Sequence, residues 1–188
     1  MKKALCFLFV FVVFVEIAFP LSGSETLKTQ YLLLLKILTY DKKFLSRSSD
    51  NVIIGIAYQR SYRLSSDSKE SLVEIIDESG LSVEKRKVIY ILVDMSESGA
   101  LENFFRNNSP DVLFVLPLRS TSINNITALS QKHKVMTFTN VPAYMDEGIS
   151  TCVNMDGEKP TIMINRNSAR SEGVDFSSQL LKVARIVE

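Results

Sequence analysis

The chain holds one histidine, His133, set between Lys132 and Lys134. A serine–histidine–acid relay needs that imidazole held between a nucleophile and an acid, and no motif of that kind surrounds it. It reads as a surface residue. Two cysteines, Cys6 and Cys152, complete the soft-ligand inventory, too little for the tetrahedral set a transition metal takes, so no metal site is expected. Acidic residues cluster only as close sequence neighbours, such as Asp77-Glu78, Asp146-Glu147 and Asp156 with Glu158. Such pairs are more often solvated faces than acid/base dyads. No G-x-G-x-x-G or G-x-x-x-x-G-K follows any strand-like segment, so the phosphate cradle of a nucleotide site is missing. These absences point to a protein that binds rather than catalyses, with no catalytic residue and no cofactor.

The compartment is written at the amino end. Met1-Lys2-Lys3 is basic, and from Ala4 to Phe19 the only charged residue is Glu16. That is the pattern of a secretory signal peptide. Ser22 and Ser24 suit a signal peptidase, which places cleavage after Ser24, with Ala18 as the alternative and an uncleaved anchor as the rival reading. Cys6 lacks the small-residue context of a lipidated cysteine. Residues 1–24 are thus read as a signal peptide and 25–188 as one exported, periplasmic domain with no membrane span after cleavage. Losing Lys2, Lys3 and Glu16 leaves 20 basic and 20 acidic residues, so nothing draws the mature chain to nucleic acid or anionic lipid. Cys152 then has no internal partner, and the strand-like Thr151-Cys152-Val153 makes it a buried, inert thiol, with an intermolecular bridge as the alternative.

The elements follow from periodicity. Glu25 to Tyr40 has no Gly or Pro and carries Leu27, Tyr31, Leu34, Leu35 and Leu38 at helical spacing. Asn51–Tyr58 is short, β-branched and apolar on both faces, as a central parallel strand would be. Helices are expected over Asp67–Ser79, capped by Ser66 or Asp67 and stopped by Gly80, over Glu97–Asn107, and over Thr121–Lys132. Strands are expected at Lys87–Val93, Asp111–Leu116 and Val135–Thr139. This alternation implies a parallel sheet with helices on both faces. After Asn140 the pattern changes: Ile149–Met155 and Thr161–Asn165 flank Asp156-Gly157, a hairpin signal, and Phe176–Val187 reads as a closing helix. The fold class is α/β: a single domain with a mostly parallel central sheet, a C-terminal β-hairpin and a C-terminal helix.

Open parallel sheets bind ligands at the carboxyl ends of their strands. Here those ends offer Tyr58, Gln59, Arg60, Leu118, Arg119, Ser120 and Asn140. Tyr58, Arg60, Arg119 and Asn140 are the candidate contacts for a ligand or partner, the two arginines being suited to a carboxylate or phosphate.

The C-terminal third carries a more specific pattern. Asn140-Val-Pro-Ala-Tyr-Met-Asp-Glu-Gly148, Ile162-Met-Ile-Asn165, Ser168-Ala169, Gly173-Val174 and Phe176-Ser-Ser-Gln-Leu-Leu-Lys-Val-Ala184 together resemble the YfiR family. The N-terminal helix with Lys28, Tyr31 and Lys36 and the strand Val52–Ala57 resemble it as well. Gly148 and Gly173 suit chain reversals, Asn165 can bond its own turn, and Ser177 and Ser178 can cap the last helix. The resemblance implies a periplasmic protein that binds the sensor region of an inner-membrane diguanylate cyclase, lowers cyclic di-GMP and so restrains biofilm formation. A second copy of the chain, in a homodimer, is a further candidate partner. The alternative reading is a periplasmic small-molecule-binding module using the loops at the carboxyl ends of the strands.

Overall fold

The computed structural model describes residues 23–46, 49–119 and 121–187. The signal-peptide reading therefore falls almost wholly outside the described residues, as does Ser120. In chain order the elements are α1 (Gly23–Leu38), α2 (Lys42–Leu45), β1 (Asn51–Tyr58), α3 (Arg63–Ser79), β2 (Ser82–Val83), β3 (Arg86–Asp94), α4 (Ala100–Asn107) and β4 (Val112–Val115). There follow α5 (Ile123–His133), β5 (Met136–Thr139), a 3-10 turn (Pro142–Met145), β6 (Thr151–Asp156), β7 (Lys159–Asn165), α6 (Arg166–Ser171), α7 (Ser178–Val183) and β8 (Arg185–Val187).

The strands form one sheet in the order β2-β3-β1-β4-β5-β6-β7-β8. The five from β3 to β6 in that row are mutually parallel, β2 and β7 run antiparallel to their neighbours β3 and β6, and β8 lies parallel to β7. This is an α/β fold with a mostly parallel sheet. The chain starts in the middle at β1, steps outward to β3, then crosses back to β4. With right-handed crossovers, that reversal sends α3 to one face and α4 and α5 to the other.

Alternating residues of each strand accordingly feed two cores. Ile54, Ile56, Val112, Phe114 and Phe138 face α1 and α3, together with Tyr31, Leu34 and Leu72. Ala57, Leu113, Val115 and Cys152 face α4 and α5, against Phe104, Phe105, Ile123 and Ile126. Gly55 lies beneath α4: a Cβ there would sit 2.4 Å from Phe104 Cζ and 2.9 Å from Leu113 Cδ1. The absence of a side chain is what lets the Phe104 ring rest on the sheet.

Several boundaries differ from the expectation. α3 begins at Arg63, four residues early, so Ser66 and Asp67 lie inside it and Tyr62 occupies the cap position without a side-chain bond. α4 begins at Ala100 rather than Glu97. The β6–β7 register pairs Asp156 with Lys159, so the hairpin loop is Gly157-Glu158, one residue beyond the expected dipeptide. The closing helix is the largest correction. It is capped by Ser177, whose Oγ accepts from Leu180 N at 3.5 Å, and ends at Val183. The chain then turns extended at Ala184 and adds β8 to the sheet. Ser178 is the first residue of α7 and not its cap.

Candidate functional site

The carboxyl ends of β1, β3 and β4 meet where the strand order reverses. In a doubly wound sheet the loops leaving such a point diverge to opposite faces and leave a crevice between them. Here the chain fills that crevice with its own groups. Gln59 N donates to Ser65 Oγ at 2.9 Å, and Gln59 Oε1 accepts from Arg119 N at 2.8 Å. The next residue along, Leu118, is held on both sides: its N–H donates to the Tyr144 hydroxyl at 2.8 Å, and that hydroxyl donates to Leu118 O at 3.1 Å.

Tyr58 and Arg60 come together beside this bridge. Tyr58 is buried, with Lys69 Nζ 5.6 Å from its ring centroid. The Arg60 guanidinium, largely exposed, pairs with Asp94 at 3.0 Å and Glu97 at 3.2 Å. The Tyr58 hydroxyl and then the Asp94 charge push the Arg60 pKa up. Asp94 itself is buried. Burial pushes its carboxyl up, but the N–H groups of Ser96 and Arg60, the Ser96 hydroxyl and the Arg60 charge outweigh it and hold the group below the usual range. Arg60 is thus engaged by two carboxylates of its own chain, and Arg119 joins the cluster through its backbone N–H.

Asn140 lies apart from these three. Its Oδ1 is buried without a hydrogen-bond partner. It lines a cleft of about 440 Å³ at the far side of the carboxyl end, with Ser24 and Gln30 of α1, Asp67 and Ser71 of α3, and Asn154 of β6. Gln30 crosses beneath this cleft, its Nε2 donating to Val153 O at 2.9 Å, which fastens α1 to the sheet.

The residues with structural roles behave as their types require. Gly148 and Gly173 have φ of 96° and 80°, left-handed reversals that a side chain would strain. Asn165 Oδ1 accepts from Ser168 N at 3.0 Å and caps α6, a helix the periodicity did not reveal. Cys152 is fully buried, and burial pushes its thiol up to about 12, which removes the thiolate a disulfide exchange needs. His133 stacks on Phe105, ring centroids 4.9 Å apart and planes within 8°. Among the described residues no group of His, Cys, Asp or Glu could hold a metal ion, and no helix is long and apolar enough to cross a membrane.

One buried acid gave no sequence signal. Glu172, in the turn after α6, is fully buried; its Oε2 accepts from Thr137 N at 2.9 Å and its Oε1 from Thr137 Oγ1 at 2.6 Å. Ser150 N in turn donates to Thr137 Oγ1 at 2.9 Å, which ties the turn to β5 and to the start of β6. Burial pushes the Glu172 carboxyl up to about 7, against the opposing hydroxyls of Ser150 and Thr137 and the Thr137 N–H. Its neighbours Arg170 and Ser171 are exposed, so nothing local marks it for the interior.

The architecture is similar to several solved structures. One is a conserved domain protein of Vibrio cholerae (TM-score 0.61, 14% identity, covering 86% of this chain and 60% of that one). Another is an ABC domain in complex with L-Trp from Streptococcus pneumoniae (TM-score 0.59, 15% identity, 86% and 60%). A third is a ligand-free, open substrate-binding protein with adhesive properties from Clostridium difficile (TM-score 0.60, 14% identity, 82% and 58%). The chain spans about 60% of the length of these proteins, and at such identities the likeness shows the fold alone. No curated protein matches the chain. A family model described as YfiR/HmsC-like matches residues 59–185, from the end of β1 to the start of β8, and the chain therefore belongs to the YfiR/HmsC-like family.

Proposed function

We propose that this chain is an exported, non-catalytic regulator that binds the periplasmic region of an inner-membrane diguanylate cyclase and lowers its cyclic di-GMP output. The observation that carries the reading is the family match across residues 59–185. At the level of the family it supports a periplasmic regulator of a diguanylate cyclase rather than an enzyme. The interior gives supporting physical grounds: the crevice at the strand reversal is occupied by the Gln59–Arg119 bond, and the Arg60 charge is met by Asp94 and Glu97. A surface whose polar groups are already paired suits a protein partner better than a small ligand drawn into a polar pocket. Export follows cleavage after Ser24 in this reading, which shortens α1 by its first two residues. The test is co-purification of the exported protein with the periplasmic region of each diguanylate cyclase of the host. Stable association with one of them is the expected outcome; association with none rejects the reading.

A second reading rests on a separate observation. Asn140 lines the cleft between α1, α3 and β6 and its buried Oδ1 lacks a hydrogen-bond partner, and the fold is shared with proteins described as substrate-binding or as holding L-Trp. On this reading Asn140 receives an amine or hydroxyl of a small polar molecule. Thermal unfolding against a panel of amino acids and polyols tests it. A rise in Tm that Asn140→Leu removes is expected, and no shift with any compound discards it.

A further inference from the structure

Residues 172–177, between α6 and α7, form a strap across the molecule with an anchor at each end. At one end the buried Glu172 is bonded to Thr137 of β5 through both carboxyl oxygens, and Ser150 N backs that threonine from the start of β6. At the other end Asp175 N donates to Asp41 Oδ1 at 2.9 Å, Lys42 N to Asp175 O at 3.1 Å and Ser177 N to Tyr40 O at 2.9 Å, while Phe176 forms a single bridge with Asp41. Between the anchors Val174 and Phe176 are buried, and they line a cleft of about 140 Å³ with Ile164, Ala169 and Leu181. The strap belongs to no helix or strand, so these few bonds hold its apolar side chains down.

The two anchors differ in their electrostatics. Asp41 lies beside Lys42 and accepts from Lys43 N and Phe44 N as the cap of α2. Around Glu172, β5 and the start of β6 supply only backbone N–H groups and hydroxyls. The charged and titratable groups of the adjoining elements are Arg166 and Arg170 of α6, Lys132, His133 and Lys134 at the end of α5, and Asp175 of the strap. All are exposed, and among the described residues none pairs with Glu172; Lys134 Nζ donates to Ser171 O at 2.8 Å instead, and Asp175 meets Lys42 at 3.5 Å. A carboxylate buried there gives up its hydration and gains no counter-charge. The neutral acid keeps both contacts. One oxygen still accepts from Thr137 N, the protonated one donates to Thr137 Oγ1, and that hydroxyl turns its own hydrogen to Ser150 Oγ at 3.3 Å.

We infer that Glu172 is a proton-operated latch: as the neutral acid it holds the strap on the sheet, and on giving its proton to water it lets residues 172–177 lift from β5 and uncover Val174 and Phe176. The direction follows from the burial. Folding pushes the carboxyl from 4.5 to about 7, so the closed strap binds the proton more tightly than the lifted one does. Lifting therefore becomes easier as pH rises from the first value to the second, and levels off above it. The opening is local, because β6, β7 and β8 keep their own ladder when the strap rises.

The latch stands independently of the regulatory reading, because it concerns the chain alone. It is tested on the exported protein by hydrogen–deuterium exchange at about pH 5.5 and about pH 7.5, corrected for the intrinsic rate at each pH. Protection of residues 172–177 should fall roughly twentyfold between the two conditions, and at both the strap should exchange faster than β1, which opens only with the whole sheet. Glu172→Gln is neutral throughout and keeps both contacts to Thr137, so its strap should stay as protected at the higher pH as at the lower. Val174→Cys gives a second reading that leaves Glu172 in place. Normalised to the urea-unfolded protein, its thiol should be labelled faster than the buried Cys152, at a rate that rises by a similar factor over the same interval. Protection and labelling that do not change with pH overturn the latch. A strap that exchanges no faster than β1 also overturns it, since Glu172 would then be released only by unfolding, and so does an equal loss of protection in Glu172→Gln.

Discussion

The interior of the sheet and its β3 edge handle polar groups in opposite ways. Inside, several groups that folding strips of water find partners from the same chain: Glu172 takes two bonds from Thr137, Thr139 Oγ1 donates to Val115 O at 2.8 Å, and Gln59 closes the crevice at the strand reversal, while Asn140 Oδ1 is left without one. Along the outer side of Val88–Asp94 the chain supplies no partner strand. A buried unpaired polar group costs roughly 1–3 kcal/mol, whereas an exposed one is satisfied by water and can exchange that water for a partner. The difference separates a part of the molecule whose polar groups hold the fold from a part whose backbone groups face water, and substitutions on each side of that divide should behave differently.

The largest effect is expected at Glu172. The unfolded chain releases this proton near the ordinary value of 4.5, the folded chain only at about 7. Between those values the folded state binds more protons, so its stability is greatest below the lower one and falls as pH rises through the upper one, by on the order of 3 kcal/mol. Urea unfolding of wild type and Glu172→Gln at intervals across that window should show the slope in the first and its loss in the second. Equal slopes would mean that the carboxylate is not shielded as the structure places it.

Gly55→Ala should cost about 2 kcal/mol, since the added methyl enters the space of the buried Phe104 ring; a shift of less than a third of that in urea unfolding would show that α4 can lift off the sheet. Gln59→Ala should cost about 1 kcal/mol by freeing Arg119 N, a modest loss because water can reach that N–H. Leu92→Lys sits at the other extreme. At an exposed edge position it should change the stability of the fold by less than about 0.5 kcal/mol, and a large thermal loss would place Leu92 in the core instead.

The interior was largely legible because its signals are local. Val52, Ile54, Ile56 and the apolar run Val112–Leu116 announce central strands, and Leu27, Tyr31, Leu34 and Leu38 announce α1. What escaped depended on partners distant in sequence. Leu180, Leu181, Val183 and Ala184 keep a helical spacing, but Ile186 and Val187 are claimed by β7, whose edge offers more backbone bonds than a last helical turn. Glu172 reads as a surface acid until Thr137 of β5 is placed over it. Arg60 was legible as a residue at a strand end, yet its engagement with Asp94 and Glu97, more than 30 residues on, was not. The open edge of β3 could not be read at all, because strand order is a property of the sheet and not of Lys87–Val93.

The most direct test of the regulatory account is cellular cyclic di-GMP in the native host, compared between a strain lacking this protein and the same strain supplied with the chain from residue 25 behind a working export signal. The account predicts a rise on deletion that the exported protein reverses; an unchanged level in both strains would contradict it.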